Sequence, residues 1–140
     1  KKEKVTAEAL PYIISDVLNT RNIHKKIKII SYYLKHKKNE KPSADIEIEI
    51  EGKTYSANGT GDGQFDAFIN AVNKLYKKNG YILPILTDYS VTIPPGSHSD
   101  ALCESLITWK NSEKEFITRG LDSDQTVSAI KATEKMLNII

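Results

Sequence analysis

Gly59-Thr60-Gly61-Asp62-Gly63-Gln64-Phe65-Asp66-Ala67-Phe68-Ile69-Asn70-Ala71 lies without a gap over Gly120-Leu121-Asp122-Ser123-Asp124-Gln125-Thr126-Val127-Ser128-Ala129-Ile130-Lys131-Ala132. The leading glycine, the glutamine, the isoleucine and the closing alanine coincide. In the first copy the small-residue corner runs into Phe65, Phe68, Ile69, Val72, Leu75 and Tyr76, apolar places at helical spacing that stop at Asn79-Gly80. In the second copy a helix is expected from about Ser123 to the end of the chain. Self-similarity of this kind marks one supersecondary unit used twice.

Upstream of each corner the period changes from helical to two. Ile27 and Ile29, then Tyr32 and Leu34, predict a strand, and Asp45-Ile46-Glu47-Ile48-Glu49-Ile50-Glu51 alternates apolar and acidic side chains without a break. Such alternation places one face on a core and one in water. Glu51-Gly52-Lys53 reads as a turn and Thr54 to Asn58 as a third strand. In the second copy Leu86 to Ile93 is the first strand, ended by Pro94-Pro95-Gly96; Ala101 to Trp109 is the second and Glu115 to Arg119 the third, so that Tyr55 matches Phe116. The expected fold is α+β: two duplicated βββα units, about residues 27–80 and 81–140, packed about a pseudo-twofold axis, because a sheet with one helix leaves an apolar face to be covered. Isologous dimerisation is a natural further step. Ahead of them, Leu10, Ile13, Ile14, Val17 and Leu18 have helical spacing, with Thr6 placed to cap and Pro11 near the first turn. Residues 1–26 are therefore expected to form a short helical connector.

At 140 residues, with 39% hydrophobic and 27% charged, the chain is large enough for a core of its own and too apolar for a disordered segment. No apolar run approaches the ~18 residues that span a bilayer, and none follows Lys1-Lys2-Glu3-Lys4 as in a signal peptide. One cysteine, Cys103, excludes an internal disulfide and a multi-cysteine metal site. A cytoplasmic protein with no membrane partner is expected. Lys25, Lys26, Lys28, Lys35, Lys37, Lys38 and Lys41 crowd one segment around Tyr32 and Tyr33, which opens a nucleic-acid reading. With a net charge of +2, solvated lysines guarding a strand edge explain the segment better, and no nucleic-acid partner is expected.

Catalytic chemistry finds no constellation. His24, His36 and His98 are scattered, and none has a triad or metal-ligand context. Cys103 shares a strand face with Ile107 and Trp109, as a small core residue does. Asp62, Asp66, Asp122 and Asp124 stand near helix starts, where carboxylates cap unpaired N–H groups. The corner Gly59 to Gln64 precedes a helix, where free N–H groups and the positive dipole end suit a carboxylate or phosphate. It is neither a dinucleotide fingerprint nor a P-loop, and a tight turn requiring glycine at positive φ is the competing explanation.

Taken together, Gly61-Asp62-Gly63-Gln64-Phe65-Asp66-Ala67-Phe68, Leu86-Thr87-Asp88-Tyr89-Ser90-Val91, Ser99-Asp100-Ala101 and the stretch from Gly120 to Asn138 resemble, in order and spacing, the C-terminal regulatory domain of the 2-isopropylmalate and citramalate synthases. The resemblance covers about residues 27–140. It implies two three-strand-plus-helix units, a homodimer, and feedback inhibition by an end-product amino acid bound at the dimer interface. The effector would be leucine for a 2-isopropylmalate synthase or isoleucine for a citramalate synthase, and the departures from the isoleucine pattern (Phe65 for tyrosine, Cys103 for valine, Ser123 for proline) favour leucine. It also implies a separate catalytic barrel that uses acetyl-CoA and a divalent metal; neither site belongs to this chain, which is expected to have no cofactor or catalytic residue of its own. Carried over residue by residue, the apolar wall is Phe65, Leu86, Tyr89, Ile93 and Cys103, with Ser123 and Gln125 from the second loop. Backbone amides of Gly61, Asp62, Gly63 and Gln64 would then suit the effector's carboxylate, and Asp66 or a carbonyl its ammonium.

Overall fold

The computed structural model describes the backbone of residues 12–13 and the whole of residues 26–93, 102–112 and 114–140. The chain divides into two units, residues 24–83 and residues 1–23 with 84–140. The first contains β2 (Ile27–Lys35), β3 (Ser43–Ile50), β4 (Lys53–Thr60) and α1 (Gln64–Lys78); the second contains β1 (Tyr12–Ile13), β5 (Ile85–Thr92), β6 (Cys103–Lys110), β7 (Glu115–Asp122) and α2 (Gln125–Ile139). Two βββα units are thus present, as the duplicated sequence predicts.

In the first unit the antiparallel sheet has the order β2-β3-β4. The alternation of β3 sends Ala44, Ile46 and Ile48 beneath α1, while Asp45 and Glu47 stay exposed on the other face. From the helix, Phe65, Ala67, Phe68, Ala71, Val72, Leu75 and Tyr76 meet them. Full burial of side chains such as Ile46, Ile48 and Phe68 contributes roughly 1.5–3 kcal/mol each. The β3–β4 hairpin closes through Glu51 and Gly52, both at positive φ (49° and 84°), the two-residue turn whose twist suits paired strands. α1 ends at the expected stop: Gly80, at φ 85°, donates to Lys77 O at 3.0 Å and Tyr81 N to Tyr76 O at 2.9 Å, with the rings of Tyr76 and Tyr81 in edge contact.

The second unit repeats this plan. Its sheet has the order β1-β7-β6-β5, and α2 packs on β7 and β6. Ile107, Trp109, Phe116, Ala129, Ile130, Met136 and Leu137 form its core. The equivalence extends to an irregularity. In β2 the register slips between Ile29 and Ser31, and in β5 between Leu86 and Asp88, at the step next to the equivalent residues Ile48 and Trp109. Each first strand therefore carries one extra residue, Ile30 or Thr87, at the same place. That bulge is why Leu86 and Tyr89, three apart, share one sheet face.

One expectation is corrected. Residues 6–19 read as a helix, yet Tyr12–Ile13 forms a short strand parallel to β7, with Tyr12 opposite Phe116 and Ile13 opposite Ile117. The cause is tertiary: β7 would otherwise be a sheet edge with unpaired backbone groups, and Pro11 obstructs a helix running through this segment. Apart from Lys26, the rest of the proposed connector lies outside the described residues, as do Ser99 and Asp100. Lys28 and Lys35 are exposed on the edge strand β2. Among the described residues no helix is long and apolar enough to cross a membrane.

Candidate functional site

The residues expected to hold an effector fall into two groups, Gly61 to Asp66 in the first unit and Leu86, Tyr89, Ile93, Cys103, Ser123 and Gln125 in the second.

In the first unit, glycine brings the helix onto the sheet. A Cβ at Gly59 would stand 2.6 Å from Ala71 N, and one at Gly61 2.6 Å from Ala67 N. Neither these glycines nor Gly63 has positive φ, so the competing explanation of a turn in the left-handed region does not hold; at Gly59 and Gly61 close approach of backbone is what excludes a side chain. Gly61 N donates to Pro42 O at 3.1 Å, tying the corner to the end of β3. Gly63 is the N-cap of α1, in extended conformation (φ −134°, ψ 173°), and no side chain caps the helix. Its carbonyl accepts from Ala67 N at 3.0 Å, but the first-turn N–H groups receive no capping oxygen from it. Asp66 is exposed in that turn, and Asp62 is exposed and 3.6 Å from Lys41, a solvated pair of little energetic weight. Phe65 is buried, stacked on Phe68 (centroids 6.1 Å), which meets Tyr32 edge-on at 6.3 Å.

In the second unit the helix start is closed. Asp124 is the N-cap of α2, and its side chain accepts from Val127 N at 3.0 Å. Asp124 N in turn donates to Asp122 Oδ2 at 2.9 Å. That backbone bond, followed by Lys131 at 2.9 Å, lowers the Asp122 carboxyl below its ordinary range. Ser128 Oγ donates to Gln125 O at 2.7 Å, while Gln125 and Ser123 are exposed.

The strand residues of this group come together. Leu86 is opposite Trp109 and Tyr89 opposite Ile107, which places both on the side of the sheet where α2 lies. α2 covers β6 and β7, leaving Leu86, Tyr89 and Val91 half-buried beside it. One step past the last pair, Thr92 and Glu104, stand Ile93, exposed, and Cys103, half-buried. Cys103 Sγ lies 3.8 Å from Ser123 O, so the thiol borders the second loop. Tyr89, Ile93, Cys103 and Ser123 thus belong to one end of one sheet face.

Sequence reasoning missed a polar network in this unit. Ser105 and Ser128 hydroxyls are hydrogen-bonded at 2.5 Å, Trp109 Nε1 donates to Thr118 Oγ1 at 2.8 Å, and Arg119 pairs with Glu104 at 3.1 Å. Ser105, Thr118, Ser128 and Thr133 are all buried where the first unit has Ala44, Ala57, Ala67 and Val72. The duplicated alignment contains that difference, since Ser128 lies over Ala67. Among the described residues no three His, Cys, Asp or Glu side chains are grouped to hold a metal ion.

Comparison with known proteins agrees with this architecture. Residues 4–140 match the family model described as the LeuA allosteric (dimerisation) domain. The chain is similar to a 2-isopropylmalate synthase of Aquifex aeolicus (28% identity over 99% of this chain and 26% of that protein). It is also similar to one of Methylorubrum populi (27% over 99% of this chain and 25% of that protein) and one of Clostridium acetobutylicum (32% over 76% of this chain and 20% of that protein). The chain therefore spans about a quarter of the length of the first two relatives.

Proposed function

The chain belongs to the LeuA allosteric (dimerisation) domain family, and from that membership we propose that it is the end-product sensor of a 2-isopropylmalate synthase, binding leucine and acting as a homodimer. The observation that carries the reading is the bare start of α1. Gly63 supplies no capping oxygen and no side chain caps the helix, so the positive dipole end of α1 suits a carboxylate, and Gly63 itself has no heavy atom closer than 3.8 Å to where a Cβ would stand. Asp66 in the same turn suits an ammonium group. The half-buried strip of Leu86 and Tyr89, with Ile93 and Cys103 beyond, suits a branched aliphatic side chain. In this proposal the pocket is completed at the interface of two copies, and the barrel it inhibits is the acetyl-CoA-dependent catalytic part of the same polypeptide. Isoleucine, the effector of a citramalate synthase, is the alternative; the two ligands differ in the position of one methyl, worth about 1–3 kcal/mol in an apolar pocket.

Inhibition requires that leucine bind two arrangements of the dimer unequally, with a coupling of about 1–3 kcal/mol. A thermal-shift screen of the standard amino acids tests the sensor. Leucine at a hundred times its dissociation constant should stabilise the chain by about 2.7 kcal/mol. Tyr89→Ala and Leu86→Ala should each remove the shift while leaving a folded dimer. A chain that no amino acid stabilises, or shifts that survive both substitutions, would refute the proposal.

A further inference from the structure

The two units treat the outer edge of their third strand differently. In an antiparallel ladder, residues alternate between those bonded to the facing strand and those whose N–H and C=O point away from it. Gly61 N to Pro42 O continues the β3–β4 ladder, so Tyr55, Ala57 and Gly59 are bonded to β3, while Thr54, Ser56, Asn58 and Thr60 point outward. Asn111 N to Lys114 O fixes the same phase in the second unit, where Glu115, Ile117, Arg119 and Leu121 point outward.

In the second unit that edge is occupied. Leu121 O accepts from Lys131 Nζ at 3.1 Å, Arg119 O from Lys135 Nζ at 2.7 Å, and Ile117 lies opposite Ile13 of β1. In the first unit Thr60 O accepts from Asn70 Nδ2 at 2.7 Å, but Lys74, at the place of Lys135, donates to the Asn58 side chain at 3.3 Å instead. Among the described residues no strand lies beside β4. β4 has no bulge and no proline, and the residues on its outer face, Thr54, Ser56 and Asn58, are uncharged; lysine, another device that blunts an edge, stands only at its start (Lys53) and on α1 (Lys74 and Lys78). Between it and α1 runs a groove of about 450 Å³ lined by Tyr55, Ser56, Asn58, Lys74, Leu75 and Lys78. A neighbouring recess of about 370 Å³ adds Lys53 and Tyr76, whose buried hydroxyl has no hydrogen-bond partner among the described residues.

We propose that the β4 edge from Thr54 to Asn58 is a strand-docking site for an extended peptide segment with aromatic and β-branched side chains between acidic flanks, running parallel to β4 as Tyr12–Ile13 runs beside β7. The direction follows from the internal template, since β4 and β7 are equivalent strands with the same outward phase. Main-chain bonds to Ser56 and its neighbours supply affinity, and Tyr55 and Leu75 receive apolar side chains. The acidic preference follows from Lys53, Lys74 and Lys78 at the rim, which outnumber the one carboxylate there, Glu51. The stretch Glu8-Ala9-Leu10-Pro11-Tyr12-Ile13-Ile14-Ser15-Asp16 has this composition and is the natural probe. This inference does not depend on the effector reading.

The test is amide exchange of the isotopically labelled chain with a synthetic peptide of residues 8–16, without any amino acid effector. At ten times the dissociation constant the peptide should slow exchange at the outward amides of Ser56 and Asn58 by about tenfold, because exchange then requires its departure. Amides of Tyr55 and Ala57, already bonded to β3, should change little. Ser56→Pro removes an outward donor at a place where edge strands tolerate proline and should abolish protection. A peptide carrying Ile13→Pro should fail on the unchanged chain, an arm independent of how the variant folds. No slowing at Ser56 and Asn58 at millimolar peptide, slowing confined to Ile117 and Arg119 of β7, or equal slowing by the proline peptide would each overturn the proposal.

Discussion

Gly63 and Asp124 hold the same place in the two units, the residue before the first turn of a fifteen-residue helix, and they leave it in opposite states. Asp124 closes α2 with its own carboxylate, whereas at Gly63 no side chain caps α1. The interiors diverge as well: the first unit packs Ala44, Ala57, Ala67 and Val72 where the second buries the hydroxyls of Ser105, Thr118, Ser128 and Thr133. One fold is thus used twice: among the described residues the second copy closes its helix start with Asp124 and its outer edge with β1, Lys131 and Lys135, while the first has no side-chain cap on α1 and no strand beside β4.

Substitutions that strike what the units share should cost most. A Cβ at Gly120 would run into Ser128 O and Ala132 N, and one at Gly59 into Ala71 N and Ala67 O. Gly120→Ala should therefore destabilise by about 3 kcal/mol or more, and Gly59→Ala by about 1–3 kcal/mol, in urea denaturation. Equal, near-zero costs would mean that the helices do not need this approach.

Next come the places where the interiors differ. Thr118→Val strands the buried Trp109 N–H and should cost about 1–3 kcal/mol. Converting Ser105 and Ser128 together to alanine reproduces the first unit and should cost less than the sum of the two single changes, because both partners leave at once. Additive costs in that double-mutant cycle would deny the pair its coupling.

A smaller effect separates Tyr76 from Leu137, its counterpart in α2. Burial, with a lesser contribution from Tyr81, raises the Tyr76 hydroxyl to about 12. A folded-state pKa above the unfolded value of about 10 means stability is full below pH ~10 and falls as pH rises toward ~12. Tyr76→Phe should raise neutral-pH stability by about 1 kcal/mol and flatten that alkaline decline, as followed by denaturant titration across the range. An unchanged decline would assign it to other tyrosines.

Much of this was legible in the residues. The shift of apolar parity in β2, from Ile27 and Ile29 to Tyr32 and Leu34, is the bulge itself written in sequence, and Leu86 with Tyr89 repeats it. The alternation of Asp45 to Glu51 fixed which face of β3 is buried because that strand is central in its sheet and packed on one side. What escaped depends on distant partners. Tyr12–Ile13 has helical neighbours in spacing, yet pairs with β7 because an edge needs it. Of the candidate site, the glycine corner stood out in local pattern and the row through Tyr89 and Cys103 came from the family resemblance, whereas the contrast between a capped and an uncapped helix required knowing that Gly63 and Asp124 are both N-caps.

The most direct measurement is calorimetric titration of leucine and isoleucine into the chain and into Gly63→Asp, which gives α1 the cap that α2 already has. Gly63 has room for the side chain, whose nearest neighbour would be Asp66 at 3.8 Å, and an aspartate cap alters helix stability by only a few tenths of a kcal/mol relative to glycine. The account predicts that the unchanged chain binds one of the two amino acids and that Gly63→Asp binds it about tenfold more weakly or worse, with the melting temperature of the free protein preserved, since a charge-assisted bond of about 1.5–3 kcal/mol is displaced. Equal affinity in the two proteins, or no binding of either amino acid to the unchanged chain, would contradict it.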